Sequence, residues 1–307
     1  MTRLLAIVGP TASGKSDVAL AVAIRLNGEI ISADSRQIYK YLNIGTSKPP
    51  SDDRIKIQHH FIDVLDPKQD YNAGTFGIEA RQRILEIGNR GKQPILVGGS
   101  GLYVKAVIDG FFDGPGQDPE FRTQLEQRAL KEGSQALLNE LSKFDPESAS
   151  VMEPSKPRRI IRALEVFHIT GKRLSEFHAE QSTVAPFETS QFGLEWGRAY
   201  LYERINQRVD LMFSLGLIEE ARQLLKMGYE PSLNALNTVG YKEVFGHLKG
   251  KLANDEMVEL IKRNSRRFAK RQLTWFRRDE RIEWITMDEN TRSEDVADLI
   301  ARKFVAS

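Results

Sequence analysis

Four side chains in this sequence have the type and setting to handle a phosphate-bearing substrate: Lys15, Ser16, Asp34 and Arg208. Lys15 and Ser16 close the octapeptide Gly9-Pro10-Thr11-Ala12-Ser13-Gly14-Lys15-Ser16, which fits the phosphate-cradling loop G-x-x-x-x-G-K-[ST]. Such a loop aims backbone N–H groups and the positive end of a helix dipole at one point. Its lysine adds a charge, and its hydroxyl is a ligand for Mg²⁺. Alone, the motif predicts nucleotide binding, ATP included, without saying whose phosphates are held. Asp34 follows the apolar run Glu29 to Ala33, at the sheet edge where open α/β folds bind ligands. A carboxylate there can take a proton from a nucleophile or hold a Mg²⁺-bound water; the plainer reading is a capping or turn aspartate. Ser35, Arg36 and Gln37 would face the same cleft. Arg204 and Arg208 are four apart on a predicted helix, which suits a clamp on a diphosphate, or else surface pairs with Glu203 and Asp210.

A second chemistry is suggested by charge. Lys262 to Arg278 holds eight Lys/Arg in seventeen residues and no acid, and Arg263, Arg267 and Arg271 recur every four residues. Lys156, Arg158, Arg159 and Arg162 form another cluster. A charge run is most often a solvated face. Two acid-poor clusters in a chain of net charge only +2 favour a track for a nucleic-acid backbone. Phe268, Trp275 and Phe276 interleave the first cluster and are expected to be core rather than stacking surfaces. His59-His60 lacks further His or Cys at ligand spacing, so a metal site is not expected there.

The elements that must position these groups follow from the pattern. Leu4 to Val8 is a buried strand and Asp17 to Leu26 a helix, the flanks a P-loop requires. Glu29 to Ala33, a weaker His60 to Val64, and Pro94 to Val97 continue a parallel α/β sheet, with a helix over Thr75 to Gly88. A P-loop NTPase would place a carboxylate after its second buried strand. Here Ile95-Leu96-Val97 runs into Gly98-Gly99, which predicts a close approach of something bulky, such as substrate. The breaker cluster Asp113 to Gly116 marks a boundary. Pro119 to Phe177 is helical in pattern, and Gln181 to Ser190 is loose. Gln191 to Trp196 returns to the sheet, before one long helix from Leu201 to Met227. A basic helix over Glu256 to Arg278, a strand Ile282 to Ile285 and a helix Asp295 to Phe304 finish the chain. The predicted fold is α/β: a P-loop NTPase-like parallel sheet flanked by helices over 1–115 and 191–307, with an all-helical insertion domain over 116–190.

Composition sets limits. The 307 residues with 40% hydrophobic content can build a large core and one insertion or a second domain. The absence of cysteine excludes disulfides, Cys-ligated zinc and thiol catalysis, and suits a reducing cytoplasm. The apolar N-terminal run is five residues long and leads into the P-loop, so it is expected to be a core strand and not a signal peptide. No stretch has the length to span a bilayer.

Together these segments resemble the tRNA dimethylallyltransferase (tRNA isopentenyltransferase) family, bacterial type. The resemblance is carried by the P-loop, Asp34 to Lys40, Ile44 to Pro49, Val97 to Tyr103, Arg162 to Val166, Val239 to Glu243 and Ala269 to Trp275, in the family's order. It implies transfer of a dimethylallyl group from dimethylallyl diphosphate to N6 of the adenosine just 3′ of a tRNA anticodon, with Mg²⁺ as cofactor. It implies a diphosphate leaving group held by the loop, with Lys15 and Mg²⁺ on Ser16 neutralising charge. Thr11 matches the position contacting the bridging oxygen, Asp34 the general base, and Arg208 the diphosphate-binding arginine. Contacts to the tRNA anticodon stem-loop are implied for Asp34, Ser35, Arg36 and Gln37, and for Ser100 and Arg122. They are also implied for Arg158, Arg159, Ile160, Ile161 and Arg162, and for Asn237, Thr238, Val239, Gly240, Tyr241 and Lys242. The insertion would grip the stem, and a monomer is expected. Ser100 stands where the family usually has Thr, Tyr41 replaces a common Gly, Ser47 a common Ala, and Asn237 a longer side chain. Three other readings share the P-loop: a small-molecule kinase using ATP, prenyl transfer to free AMP, and a non-catalytic RNA-binding protein.

Overall fold

The structure is a computed structural model and describes residues 2–110, 115–180 and 185–306. Six parallel strands form one sheet: β1 (Arg3–Val8), β2 (Gly28–Ser32), β3 (His59–His60), β4 (Gln93–Gly98), β5 (Glu188–Trp196) and β6 (Ile282–Met287), in the order β3-β2-β4-β1-β5-β6. Helices flank it, giving a P-loop NTPase-like fold. Leu4 to Val8 are buried without exception, as a central strand covered on both faces demands. Leu5 and Ile7 pack with Val18 and Val22 of the helix Lys15–Arg25, and with Leu201 and Ile205 of the helix Arg198–Ser214. A second cluster gathers Ile38, Tyr39, Leu42, Val209, Leu217, Tyr241 and Met257 beneath the segment that follows Asp34.

The chain divides into two compact units, Met1–Ile108 with Ala185–Ser307, and Asp109–Val184. The second is helical throughout its described elements, Pro119–Glu132 to Leu174–Glu180, and has its own core of Leu125, Leu137, Leu141, Ile160, Ile161 and Leu164.

Several local expectations need correcting. Of the weaker strand His60 to Val64 only His60 pairs with β2, joined by His59 before it, because Phe61 and Asp63 take positive φ values of 62° and 56° that end the ladder. β5 begins at Glu188, so the end of the loose Ser/Thr/Pro stretch is strand; residues 181–184 of that stretch lie outside the described residues. The long helix from Leu201 is two helices, Arg198–Ser214 and Leu217–Lys226, broken where Gly216 adopts a φ of 96°. Residues 111–114, which carry half of the breaker cluster, also lie outside the described residues.

Candidate active site

The strand order places a switch point between β1 and β4, whose following segments leave in different directions, and a crevice opens at the carboxyl ends of such strands. The P-loop fills one side. Gly14, at φ 88°, caps the helix Lys15–Arg25, and Ala12 is also left-handed at φ 63°. Three of the loop's carbonyls receive a side-chain donor: Ala12 O accepts from Arg204 Nε at 2.9 Å, Ser13 O from Trp196 Nε1 at 3.0 Å and Pro10 O from Lys15 Nζ at 2.5 Å. Arg204 also lies over the Trp196 ring, 4.3 Å from its centroid. It therefore supports the loop from behind and does not clamp a ligand. Neither predicted surface pair forms in the described structure: Asp210 binds Lys262 at 2.8 Å, and Glu203 accepts from Gln207.

Opposite the loop, Asp34 follows β2. Its Oδ1 accepts from Arg36 N at 2.8 Å and Gln37 N at 3.3 Å, an Asx turn that fixes the carboxylate. Ser100 Oγ accepts from Ser35 N at 3.2 Å. The Gln37 amide donates to the carbonyls of Thr46 and Ser47, both at 3.2 Å, anchoring the next loop to the same turn. Ser47 and Tyr41 have left-handed φ of 48° and 68°.

One cavity of about 440 Å³ receives these groups. Thr11, Lys15, Ser16, Asp34, Ser35, Arg36, Gln37, Ser100 and Arg208 line it, together with Asn237, Thr238, Val239, Gly240 and Lys242. Dense surrounding protein pushes the Lys15 ammonium down to about 7; nearby Arg208 adds to this and Asp34 opposes it. Burial likewise lowers Arg208, again against Asp34. Lys15, Arg36, Arg208, Lys242 and Arg271 thus line the same space as one carboxylate, Asp34, and the positive surplus favours a polyanion.

Other expected site residues take different roles. Tyr241 is fully buried; its hydroxyl donates to Glu220 at 2.6 Å and its ring packs where Gly45 leaves room, so it is core beneath the site. Ile160 and Ile161 are buried in the core of the second unit, which removes their side chains from any RNA contact. Arg122 and Arg162 both bind the buried Glu165, at 2.6 and 2.7 Å, whereas Arg158 and Arg159 are exposed. Gly98 and Gly99 line the cavity and also leave room for protein: a Cβ on Gly98 would meet Ala33 O at 2.1 Å, and one on Gly99 the Gln272 amide at 2.3 Å. Phe268 is 40% exposed and lines the cavity with Arg271, so it is no core residue.

Residue-type reasoning missed Gln272 and Glu220. Gln272 accepts from Thr11 N; Glu220 accepts from the backbone N–H of Asn43, Ile44 and Gly45 at 2.8 to 3.0 Å. Gln272 had a signal: it is a polar residue on the buried face of Ile261, Ala269 and Phe276.

The fold and cavity define a P-loop NTPase-like α/β protein in which Lys15 and Ser16 share a cavity with the fixed carboxylate of Asp34. The profile of the IPP transferase family matches residues 37–279. A tRNA dimethylallyltransferase of Pelotomaculum thermopropionicum is 48% identical over 97% of this chain and 95% of its own length, and one of Carboxydothermus hydrogenoformans is 50% identical over 92% and 91%. Among solved structures, the full-length tRNA isopentenylpyrophosphate transferase of Bacillus halodurans aligns at TM-score 0.73 and 40% identity over 100% of this chain and 98% of that one. A eukaryotic dimethylallyltransferase acting on tRNA aligns at TM-score 0.85 and 28% identity, over 100% and 80%. The chain belongs to the IPP transferase family.

Proposed function

We propose that this enzyme transfers a dimethylallyl group from dimethylallyl diphosphate to N6 of the adenosine just 3′ of a tRNA anticodon, releasing diphosphate. The observation that carries the proposal is that Lys15 and the P-loop share one cavity with Asp34 and Arg208, in a member of the IPP transferase family. The C–O bond to the diphosphate breaks as the N6–carbon bond forms. Asp34 takes the N6 proton, and Lys15 and Arg208 hold the charge that develops on the leaving group. Thr11, which lines the same cavity, would contact the oxygen that bridges the two halves of the donor. The acceptor base must leave its stack to enter the cavity.

Mg²⁺ fits this arrangement as an ion carried by the diphosphate. Ser16 offers a hydroxyl at the cavity wall, and among the described residues no cluster of three His, Cys, Asp or Glu would cage a metal without substrate oxygens. When bound it would supply charge neutralisation on the leaving group. RNA contact is supported by Arg271 at the cavity wall and the exposed Arg267 on the same helix, and by the exposed Arg158 and Arg159 of the helical unit. One chain supplies Lys15, Asp34 and Arg208 alike, which supports action as a monomer. Among the described residues no helix is long and apolar enough to cross a membrane; with no cysteine, the chain suits work on tRNA in the cytoplasm. Mass spectrometry of tRNA incubated with the protein, Mg²⁺ and dimethylallyl diphosphate tests the proposal. One C₅H₈ unit on a single adenosine is expected. Unmodified tRNA, together with tight calorimetric binding of Mg-ATP, would instead establish the kinase reading.

A further inference from the structure

β1 and β4 are neighbours, but their ladder ends at Val8↔Gly98, where the following turns part. Beyond that point the backbone offers no ladder hydrogen bond to hold the P-loop to the end of β4. One side chain from the helix Asn254–Phe276 bridges the gap. The Gln272 carboxamide accepts from Thr11 N–H at 2.8 Å and donates to the Gly99 carbonyl at 2.9 Å. It is 8% exposed. Both ends of the amide are used, one as acceptor and one as donor, so among side chains of this length only a carboxamide or a protonated carboxyl satisfies both partners. Gly99 is shaped to admit it, since a Cβ there would lie 2.3 Å from Nε2.

The far side of the crevice is tied to the same strand end. Ser100 N donates to Ala33 O at 3.3 Å, and Ser100 Oγ accepts from Ser35 N, next to Asp34. A continuous set of contacts therefore runs from Thr11 through Gln272, Gly99 and Ser100 to the Asp34 turn. The helix that provides Gln272 also presents Arg271 to the cavity.

We infer that Gln272 is a positioning residue for prenyl transfer, setting Thr11 and the leaving-group end of the P-loop at a fixed place relative to Asp34. Its chemical role rests on the proposed function; its geometric role does not. A misplacement of about 1 Å between donor and base can cost ~100-fold in rate, so the bridge acts on turnover more than on binding.

The test compares Gln272→Glu, Gln272→Ala and Gly99→Ala with the wild type. At about pH 8.5 the Gln272→Glu carboxylate turns a second acceptor on the Gly99 carbonyl. Turnover should drop ~100-fold, while tRNA affinity stays within ~3-fold. As pH falls to about 6, protonation of this buried carboxyl restores a donor, and the ratio of variant to wild-type kcat should rise. Gln272→Ala should lose as much at every pH. Gly99→Ala displaces only the tip of a flexible side chain, so it keeps the fold and should also lose kcat. In parallel, the Thr11 amide should exchange with solvent at least ~10-fold faster in Gln272→Ala. Unchanged Thr11 exchange, or kcat within ~3-fold of wild type in both Gln272→Ala and Gly99→Ala, would overturn the inference. If the wild type adds no C₅H₈ unit to tRNA, the proposed chemistry fails, and the exchange arm still judges the bridge by itself.

Discussion

Lys15 is held where a cation is costly. It sits among dense protein beside Arg208, with its Nζ turned onto the Pro10 carbonyl of its own loop. Its native pKa, about 7, lies below the unfolded value, so the unfolded chain binds more protons between roughly pH 7 and pH 10.5. The penalty on folding is full below pH 7 and is relieved as pH rises through that window. Lys15→Met should therefore stabilise the ligand-free protein at pH 7 by at least ~1 kcal/mol, the gain fading towards pH 10, while abolishing transfer. Urea titrations of both proteins across that range check the sign, and a variant less stable than wild type at pH 7 would refute it. Diphosphate favours the charged lysine, so its affinity should weaken as pH rises above 7. Asp34 carries a separate expectation: Asp34→Ala should lower kcat by ~10² or more and leave the tRNA dissociation constant within a few-fold, as single-turnover and filter-binding assays would report. A kcat near wild type would remove it as the base.

At the scale of elements, the helix Asn254–Phe276 has two faces with two tasks. Ala269, Gln272 and Phe276 face the core, whereas Arg263, Arg267 and Arg271 are exposed. Replacing Arg267 and Arg271 by Gln should weaken tRNA binding and lower the slope of log K against log salt by about 2, with little change in diphosphate affinity. An unchanged slope would mark the face as merely solvated. Such periodic elements were legible from sequence, and so was the P-loop between its strand and helix, because burial on a sheet or a helix face leaves a local pattern. The His59–His60 strand was not, since two residues carry too little pattern and positive φ at Phe61 is set by packing. The break at Gly216 was hidden by amphipathic sequence on both sides. That Ile160, Ile161 and Tyr241 turn inward was not legible, because a run of motif residues does not reveal which of them are buried. Gln272 and Glu220 escaped for another reason: their partners are backbone atoms far away in sequence.

The whole molecule combines two units with separate cores. In the helical one, the fully buried Glu165 carboxylate binds Arg122, Arg162 and the Asp118 amide. Glu165→Ala would leave two guanidinium groups without their counter-ion, which should cost about 3 kcal/mol within that unit. Peptide-resolved hydrogen exchange should quicken over 119–177 and stay unchanged over β1 and β4; uniform quickening would contradict independent cores. The strand order also governs how the chain is made. β1 leaves the ribosome first, yet both its neighbours come late, at residues 93–98 and 188–196. At a synthesis rate of ~5–20 residues per second, its second edge stays open for roughly 10–40 s. During that interval Leu4 to Val8 lack one of the two strand partners that cover them in the finished sheet.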